Sequence, residues 1–341
     1  HSEIHSFPTR RSSDLPRRNG GLSTAVEGMV RATPYPCAVV SFDAWRPRGA
    51  GVPPLPDSGD VCRLGSAEHL PKARAFAARF APTVVHVHHA MLFDFAASLG
   101  APVVLSVHVV QRELRLLRGL AEPTRSERAQ ASAAERAARV LVPSRHAREA
   151  FGGGEIVPLG VSPTPPPAYE GSGALFVGRL ADVKGIDTLA AAIPRMQTPV
   201  SIAGGLPDSP KAERKQRARL EGARWLGWLD PAGLDAAAAA HAVLVAPSWT
   251  ESFGQAVLEA QMRGLAVVAS VAGALTERVA PGSDGVLVPP RDPEALAEAV
   301  DALAAEPERL AAMQRAARAH AEAQTWGRRI EKHLAVYRGL R

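Results

Sequence analysis

Residues 247–259 read Pro247-Ser248-Trp249-Thr250-Glu251-Ser252-Phe253-Gly254-Gln255-Ala256-Val257-Leu258-Glu259, directly after the apolar run Val243 to Ala246. Four apolar residues closed by Pro-Ser read as a buried strand entering a loop, and Phe253 to Arg263 reads as the helix that follows. Glu251 falls in the loop, and Glu259 lies eight positions on, within the helix. Between them Gly254 lets a ligand approach the backbone closely where the helix starts. Carboxylates so placed can accept hydrogen bonds from sugar and ribose hydroxyls. Taken alone, the segment is better read as a capping acid followed by a solvated helical glutamate.

A second stretch answers the first. The strand Ala174 to Val177 runs into Gly178-Arg179-Leu180-Ala181-Asp182-Val183-Lys184-Gly185, and a helix follows from Gly185 to Ile193. Arginine offers a planar fork to phosphate oxygens, lysine a point charge, and a helix start adds backbone donors and a positive dipole. Together they make a diphosphate site that needs no metal. The competing reading is a pair of solvated loop cations.

Outward from these motifs, short apolar runs alternate with helical stretches, the pattern of βαβ units and parallel sheets. In the first half, Leu22 to Ala32 reads as a helix, and Cys37 to Phe42, Val84 to His88, Pro102 to His108 and Val140 to Val142 as strands. Ser126 to Arg139 reads as a helix and the Pro/Gly-rich stretch Arg46 to Gly59 as a loop. In the second half, Val200 to Ala203, Ala266 to Ser270 and Gly285 to Val288 read as strands. Asp292 to Ala305 and Trp326 to Leu340 read as helices. The proline-rich run Pro163 to Gly173 separates the halves as a linker. The expected domains are 16–165 and 166–321, with 322–341 a helix returning to the first.

At 341 residues the chain exceeds the usual limit of one hydrophobic core. Hydrophobic residues at 46% and charged residues at 22% exclude a disordered chain. No apolar run approaches the roughly 20 residues of a bilayer span. Neither GxGxxG nor GxxxxGK[ST] occurs, which argues against a dinucleotide oxidoreductase and a P-loop phosphotransferase. Two isolated cysteines, Cys37 and Cys62, fit a reducing cytoplasm better than a disulfide framework or a zinc site. The net charge of +6 sits wholly in the first half, because residues 161–341 hold as many acids as bases. A solvated arginine-rich surface accounts for this, and so does a face that meets an anionic acceptor or membrane. The basic cluster Lys211, Arg214, Lys215, Arg217 and Arg219 reads as a solvated helix.

The two motifs, in this order and spacing, resemble the family-4 glycosyltransferases, whose GT-B fold sets two Rossmann-like, doubly wound domains face to face across a cleft. Glu251 and Glu259 match that family's Glu, seven residues, Glu. Gly178 to Gly185 matches its turn. Gly20-Gly21, Val84 to His88, Ser106 to His108, Pro158 to Val161, Gly227 to Leu229 and Ala272 to Glu277 fall in family order. Two positions depart from the family pattern: Ala274 stands where a glycine is usual, and Thr276 where a proline is usual.

The resemblance implies a metal-independent enzyme that moves a sugar from a nucleoside-diphosphate sugar to an acceptor hydroxyl with retention. Arg179 and Lys184 would hold the diphosphate, Glu259 the ribose, and Glu251 the transferred sugar. Backbone at Gly178, Phe253 and Gly254 would touch donor oxygens, and Gly227, Trp228 and Leu229 would lie near the base. His108 would face the donor sugar from the first domain, and Gly20 and Gly21 would form the acceptor and phosphate loop. No cofactor beyond the nucleotide sugar and no nucleic-acid partner is implied. The acceptor would be a carbohydrate, a lipid or a small molecule, with peripheral membrane contact through the first half. The alternative is a non-transferring relative, either a sugar-nucleotide epimerase or a sugar-binding homologue.

Two further expectations come from the residues. His86, His88 and His89 cluster, but no adjacent cysteine or carboxylate completes a metal set, so structural or acceptor-side roles are favoured. His5 to Leu15 reads HSFPTRRSSDL, the string a common sequencing adapter gives in one frame. Residues 1–15 are therefore expected to be a non-native tail, and the strand that ordinarily precedes Gly20-Gly21 to be missing.

Overall fold

The computed structural model describes residues 21–42, 61–64, 70–206 and 209–340, and the chain parts into two compact units, His1–Thr83 and Val84–Arg341. The expected tail over 1–15, the missing strand, Gly20 and the loop Arg46 to Gly59 lie outside the described residues. The first unit holds α1 (Gly21–Ala32), β1 (Val39–Phe42), β2 (Val61–Leu64) and α2 (Leu70–Phe80). β1 and β2 pair in parallel, with Val39 opposite Val61. In α2 the buried residues are Ala73, Phe76 and Ala77, three and four apart on one face.

The second unit contains two parallel sheets. The first is made of β3 (Val85–Val87), β4 (Val103–Ser106), β5 (Arg139–Val142) and β6 (Glu155–Ile156), paired in that order. Its connections are α3 (Phe93–Ala97), α4 (Gln111–Leu117), α5 (Arg125–Arg136) and α6 (Arg145–Phe151). Thr124 and Ser144 cap α5 and α6, their hydroxyls accepting from Glu127 N and Ala147 N.

The second sheet is built from β7 (Ala174–Arg179), β8 (Val200–Gly205), β9 (Arg224–Gly227), β10 (Val243–Ala246), β11 (Ala266–Ser270) and β12 (Gly285–Val288). In chain order its helices are α7 (Ile186–Ala192), α8 (Pro210–Arg219), α9 (Pro231–Ala239), α10 (Gln255–Met262), α11 (Leu275–Arg278) and α12 (Pro293–Ala304). They are followed by α13 (Pro307–Glu322) and α14 (Trp326–Arg338).

The pleat explains why these strands are apolar throughout. Ala174 and Phe176 of β7 and Val243 and Val245 of β10 face one way, onto Ile186 and Leu189 of α7 and Leu296 and Val300 of α12. Leu175 and Leu244 face the other way, onto Val257 and Ala260 of α10. Both faces are covered, so the strands lose the polar alternation of a half-exposed sheet.

Helix α13 was not foreseen from sequence. Its buried residues are Met313, Gln314, Ala317 and Ala321, so the face that packs carries little apolar signal. Helix α14 sends Val336 and Tyr337 onto Val104, Leu141 and Val157 of the first sheet's side. Trp326 N donates to Val161 O at 3.0 Å where the chain crosses over. Among the described residues no helix is long and apolar enough to cross a membrane.

Candidate active site

The order of the second sheet is β12-β11-β10-β7-β8-β9. The chain starts at β7, winds outward through β8 and β9, then returns to the other side of β7 with β10. Open α/β sheets take ligands outside the carboxyl ends of the strands at such a switch point. Both sequence motifs stand there, one on each bank: the Arg179 to Gly185 turn leaves β7, and the Pro247 to Gly254 loop leaves β10.

The banks are joined by backbone before any side chain is counted. Gly185 has φ +70°, and a Cβ there would overlap the carbonyl oxygen of Pro247. Trp249 N donates to Val183 O at 2.8 Å. Lys184 Nζ then donates to Glu251 Oε1 at 2.5 Å, and Ser248 Oγ donates to the same oxygen at 2.9 Å. Sequence reading gave Lys184 and Glu251 to different parts of the donor, whereas the structure pairs them directly. Arg179 ends β7 and is exposed.

The Ala272 to Glu277 turn supports Glu251 from behind. Ala274 N donates to Glu251 O at 2.7 Å. Gly273 has φ +55°, and a Cβ there would lie 2.5 Å from Glu251 O. Ala274 has φ −69° and ψ −2°, a right-handed conformation that alanine adopts freely, which accounts for the departure from glycine. Thr276 Oγ1 donates to Gly273 O at 3.1 Å.

The other expected donor residues sit less simply. Gly254 has φ +78° and precedes α10, so the helix starts at Gln255 and not at Phe253. Phe253 is buried, with the Arg278 guanidinium 4.1 Å from its ring centre. Glu259 accepts from Gln255 Nε2 at 3.1 Å, and burial, opposed by Arg263, pushes its carboxyl up. It lines a small pocket with Leu175, Val177, Leu234 and Ala238. Gly227 closes β9 with φ +74°, Trp228 is 39% exposed, and Leu229 packs against the sheet's α10 face. Gly21 opens α1 in the first unit.

His108 follows β4, and its Nε2 lies 2.8 Å from His88 Nδ1. His86 is bonded through Nδ1 to the Tyr337 hydroxyl at 2.6 Å and through Nε2 to Ser106 Oγ at 2.7 Å. His86 and His88 rings stack with centres 4.1 Å apart, and His333 of α14 closes the cluster. Burial, then mutual repulsion, holds His86 and His88 well below the usual histidine range. Burial lowers His108 and His333 to about 4. All four are neutral at pH 7. Among the described residues no three His, Cys, Asp or Glu side chains are grouped to hold a metal ion.

Sequence reading missed a set of residues on the first sheet's side that reach the Glu251 loop. Glu113 Oε1 accepts from Thr250 Oγ1 at 2.7 Å and is bonded to His146 Nε2 at 2.9 Å. Ser144 Oγ donates to Ser252 O at 2.7 Å. Glu277 accepts from His146 N at 2.7 Å and from Arg145 N at 3.1 Å. The segments after β4 and β5 therefore meet those after β10 and β11, so the carboxyl ends of the two sheets face each other. Nothing in the local sequence around Glu113 or His146 signals this, because their partners in the second sheet's loops, Thr250 and Glu277, lie more than one hundred residues on.

Residues 171–306 match a family model described as glycosyl transferases group 1, and residues 9–159 match one described as glycosyl transferase 4-like domain. The chain has the GT-B fold, and each of its halves carries a glycosyl transferase family domain. It is similar to the D-inositol 3-phosphate glycosyltransferases of Streptomyces griseus and Geodermatophilus obscurus, at 35% and 37% identity. Each match covers 48% of this chain and 38% and 39% of those relatives. The chain thus spans about two fifths of the length of the curated relatives it matches. Among solved structures it is similar to sucrose-phosphate synthase from Thermosynechococcus elongatus, with a TM-score of 0.75 at 22% identity over 94% of this chain and 91% of that one. It is also similar to HepE of Anabaena in complex with UDP-glucose, with a TM-score of 0.65 at 20% identity over 81% and 86%. These likenesses agree with the two parallel-sheet α/β halves expected from sequence.

Proposed function

We propose that this glycosyltransferase transfers a sugar from a nucleoside-diphosphate sugar to an acceptor hydroxyl, with retention of configuration and without a metal. The carrying observation is the crevice between β7 and β10, where Arg179, Lys184 and Glu251 stand on facing banks. A diphosphate leaving there meets preorganised cations, which supply the charge that a metal would otherwise bring. Glu251 orients the sugar, Glu259 serves the ribose, and neutral His108 offers a hydrogen bond to the sugar from the first sheet. Retention follows from same-face displacement through an oxocarbenium-like state. The bond from the anomeric carbon to the diphosphate oxygen breaks, the bond to the acceptor oxygen forms, and the acceptor proton passes to the leaving diphosphate.

The relative crystallised with UDP-glucose supports this donor class, and no organic cofactor or nucleic acid enters. The basic first half favours an anionic acceptor, whether carbohydrate, lipid or small molecule. Exposed Leu116 and Leu120, beside exposed Arg112 and Arg118, suit a peripheral membrane contact. Two cysteines in 341 residues suit a reducing cytoplasm.

A thermal-shift screen with UDP-, GDP- and ADP-sugars tests the donor, since a ligand that binds the native state raises the midpoint. Nucleotide release with and without acceptors then separates transfer from epimerisation or simple binding. No stabilisation by any sugar nucleotide would overturn the proposal.

A further inference from the structure

We propose that Glu113 and His146 are positioning residues: reaching from the first sheet's side, they hold the loop that carries Glu251 in its working place. The proposal rests on the donor-site reading above and adds who sets that site. Lys184 and Ser248 orient the Glu251 carboxylate from its own half. The residues on either side of Glu251 are held from the other half, Thr250 by Glu113 and the Ser252 carbonyl by Ser144.

These bonds close into a ring. Glu113 is bonded to His146, the His146 backbone donates to Glu277, and the turn ending at Glu277 donates Ala274 N to the Glu251 carbonyl. Glu251 is thereby tied to the turn through its own carbonyl and to the opposite sheet's side through the residue before it and the residue after it. A shift of either half moves the carboxylate at the reaction centre.

Charge makes the Glu113 corner the strong one. The Glu113 and His146 side chains are 19% and 28% exposed, and charge-assisted hydrogen bonds are about twice as strong as neutral ones. The Glu113 bond raises His146 above its usual range, against desolvation and with help from Glu277 and Glu149, while Arg145 stands beside it. Burial pushes Glu113 up, but the bonds from His146 and Thr250 outweigh it and leave it below the usual carboxylate range. The corner is ionic between those two limits. It weakens as pH rises through the raised His146 value, and again as pH falls through the lowered Glu113 value.

The test uses the full chain and two variants. Thr250→Val removes one hydroxyl at constant shape. Glu113→Gln keeps an acceptor for Thr250 while removing the charge on which His146 depends. Amide hydrogen exchange of the ligand-free chain should speed up about 10-fold across residues 249–253 in both variants, with exchange in β7 and β8 unchanged. With whichever of UDP-, GDP- or ADP-glucose binds, kcat for nucleotide release should fall about 10-fold while nucleotide affinity changes less than about threefold. The alkaline limb of the wild-type rate profile should lie above pH 6.5 and move down in Glu113→Gln. Unchanged exchange over 249–253 would overturn the positioning role whether or not a sugar nucleotide binds. A fall in melting temperature with an unmoved pH limb and unchanged kcat would reduce the ring to a structural tie. Failure of every sugar nucleotide to bind would instead count against the transferase reading.

Discussion

Replacing Gly185 by alanine should damage the site severely, and Gly282 provides the internal control. Both glycines have left-handed backbone, at φ +70° and +80°. That conformation costs alanine about 1–2 kcal/mol relative to glycine. At Gly282 nothing lies within 4 Å of a built Cβ, so Gly282→Ala should cost only that strain. At Gly185 the Cβ overlaps Pro247 O and lies 2.6 Å from its carbonyl carbon. Carbon atoms pack at about 3.5–4.0 Å, so the turn and the end of β10 must part by about 1 Å. Parting them strains the 2.8 Å bond from Trp249 N to Val183 O, and an unmade buried hydrogen bond costs about 1–3 kcal/mol. Gly185→Ala should therefore cost about 2–5 kcal/mol in urea unfolding, at least about 1 kcal/mol more than Gly282→Ala. Nucleotide binding should be lost with it, since Lys184 rides on the displaced turn. Equal costs for the two variants, with binding retained in both, would show that the turn and the loop are not locked together through this contact.

Arg179→Ala and Lys184→Ala should each lower turnover about 10²-fold or more with the fold intact, the usual scale for one preorganised donor at developing charge; near-normal rates in both would remove them from the diphosphate site. Turnover should survive EDTA, and a complete loss restored by magnesium or manganese would show that a metal supplies the charge instead. Acid should destabilise the second unit early. His108 and His333 titrate near 4 in the folded chain and near 6.5 unfolded, so protons bind preferentially to the unfolded state as pH falls through that window. Unfolding free energy that stays flat between pH 6.5 and 4 would contradict this. Glu259→Gln should preserve stability at pH 7 to within about 1 kcal/mol, because glutamine keeps the shape and an acceptor for Gln255 Nε2 while removing a charge that burial disfavours, and it should weaken nucleotide affinity. Affinity unchanged in that variant would take the ribose role away from Glu259.

Much of the fold was legible because both faces of the second sheet are covered. Runs such as Val243 to Ala246 and Ala266 to Ser270 announce themselves as continuous apolar stretches, and their observed bounds are Val243–Ala246 and Ala266–Ser270. The Asp292 cap before Pro293 located α12 through local backbone chemistry alone. Helix α13 escaped because alanine and glutamine bury well without standing out. The start of α10 was placed two residues early, because only the positive φ of Gly254 shows that the chain is still turning there.

Order along the chain by itself determined the fold class, the two parallel-sheet halves and the two motifs at the ends of strands, since each is written in contiguous residues whose local preferences and spacing agree. Tertiary structure decided which side chains meet. Lys184 and Glu251 became partners because β7 and β10 are neighbours in the sheet, with Ala174 paired to the distant Val243. Glu113 and His146 joined the Glu251 loop because two sheets present their carboxyl ends to one another. Glu259 turned to a small pocket beside β7 and α9 because of where it falls around α10. Such contacts depend on strand order and on how one element is laid against another, and those are settled by summed burial over the whole core, which no single segment records.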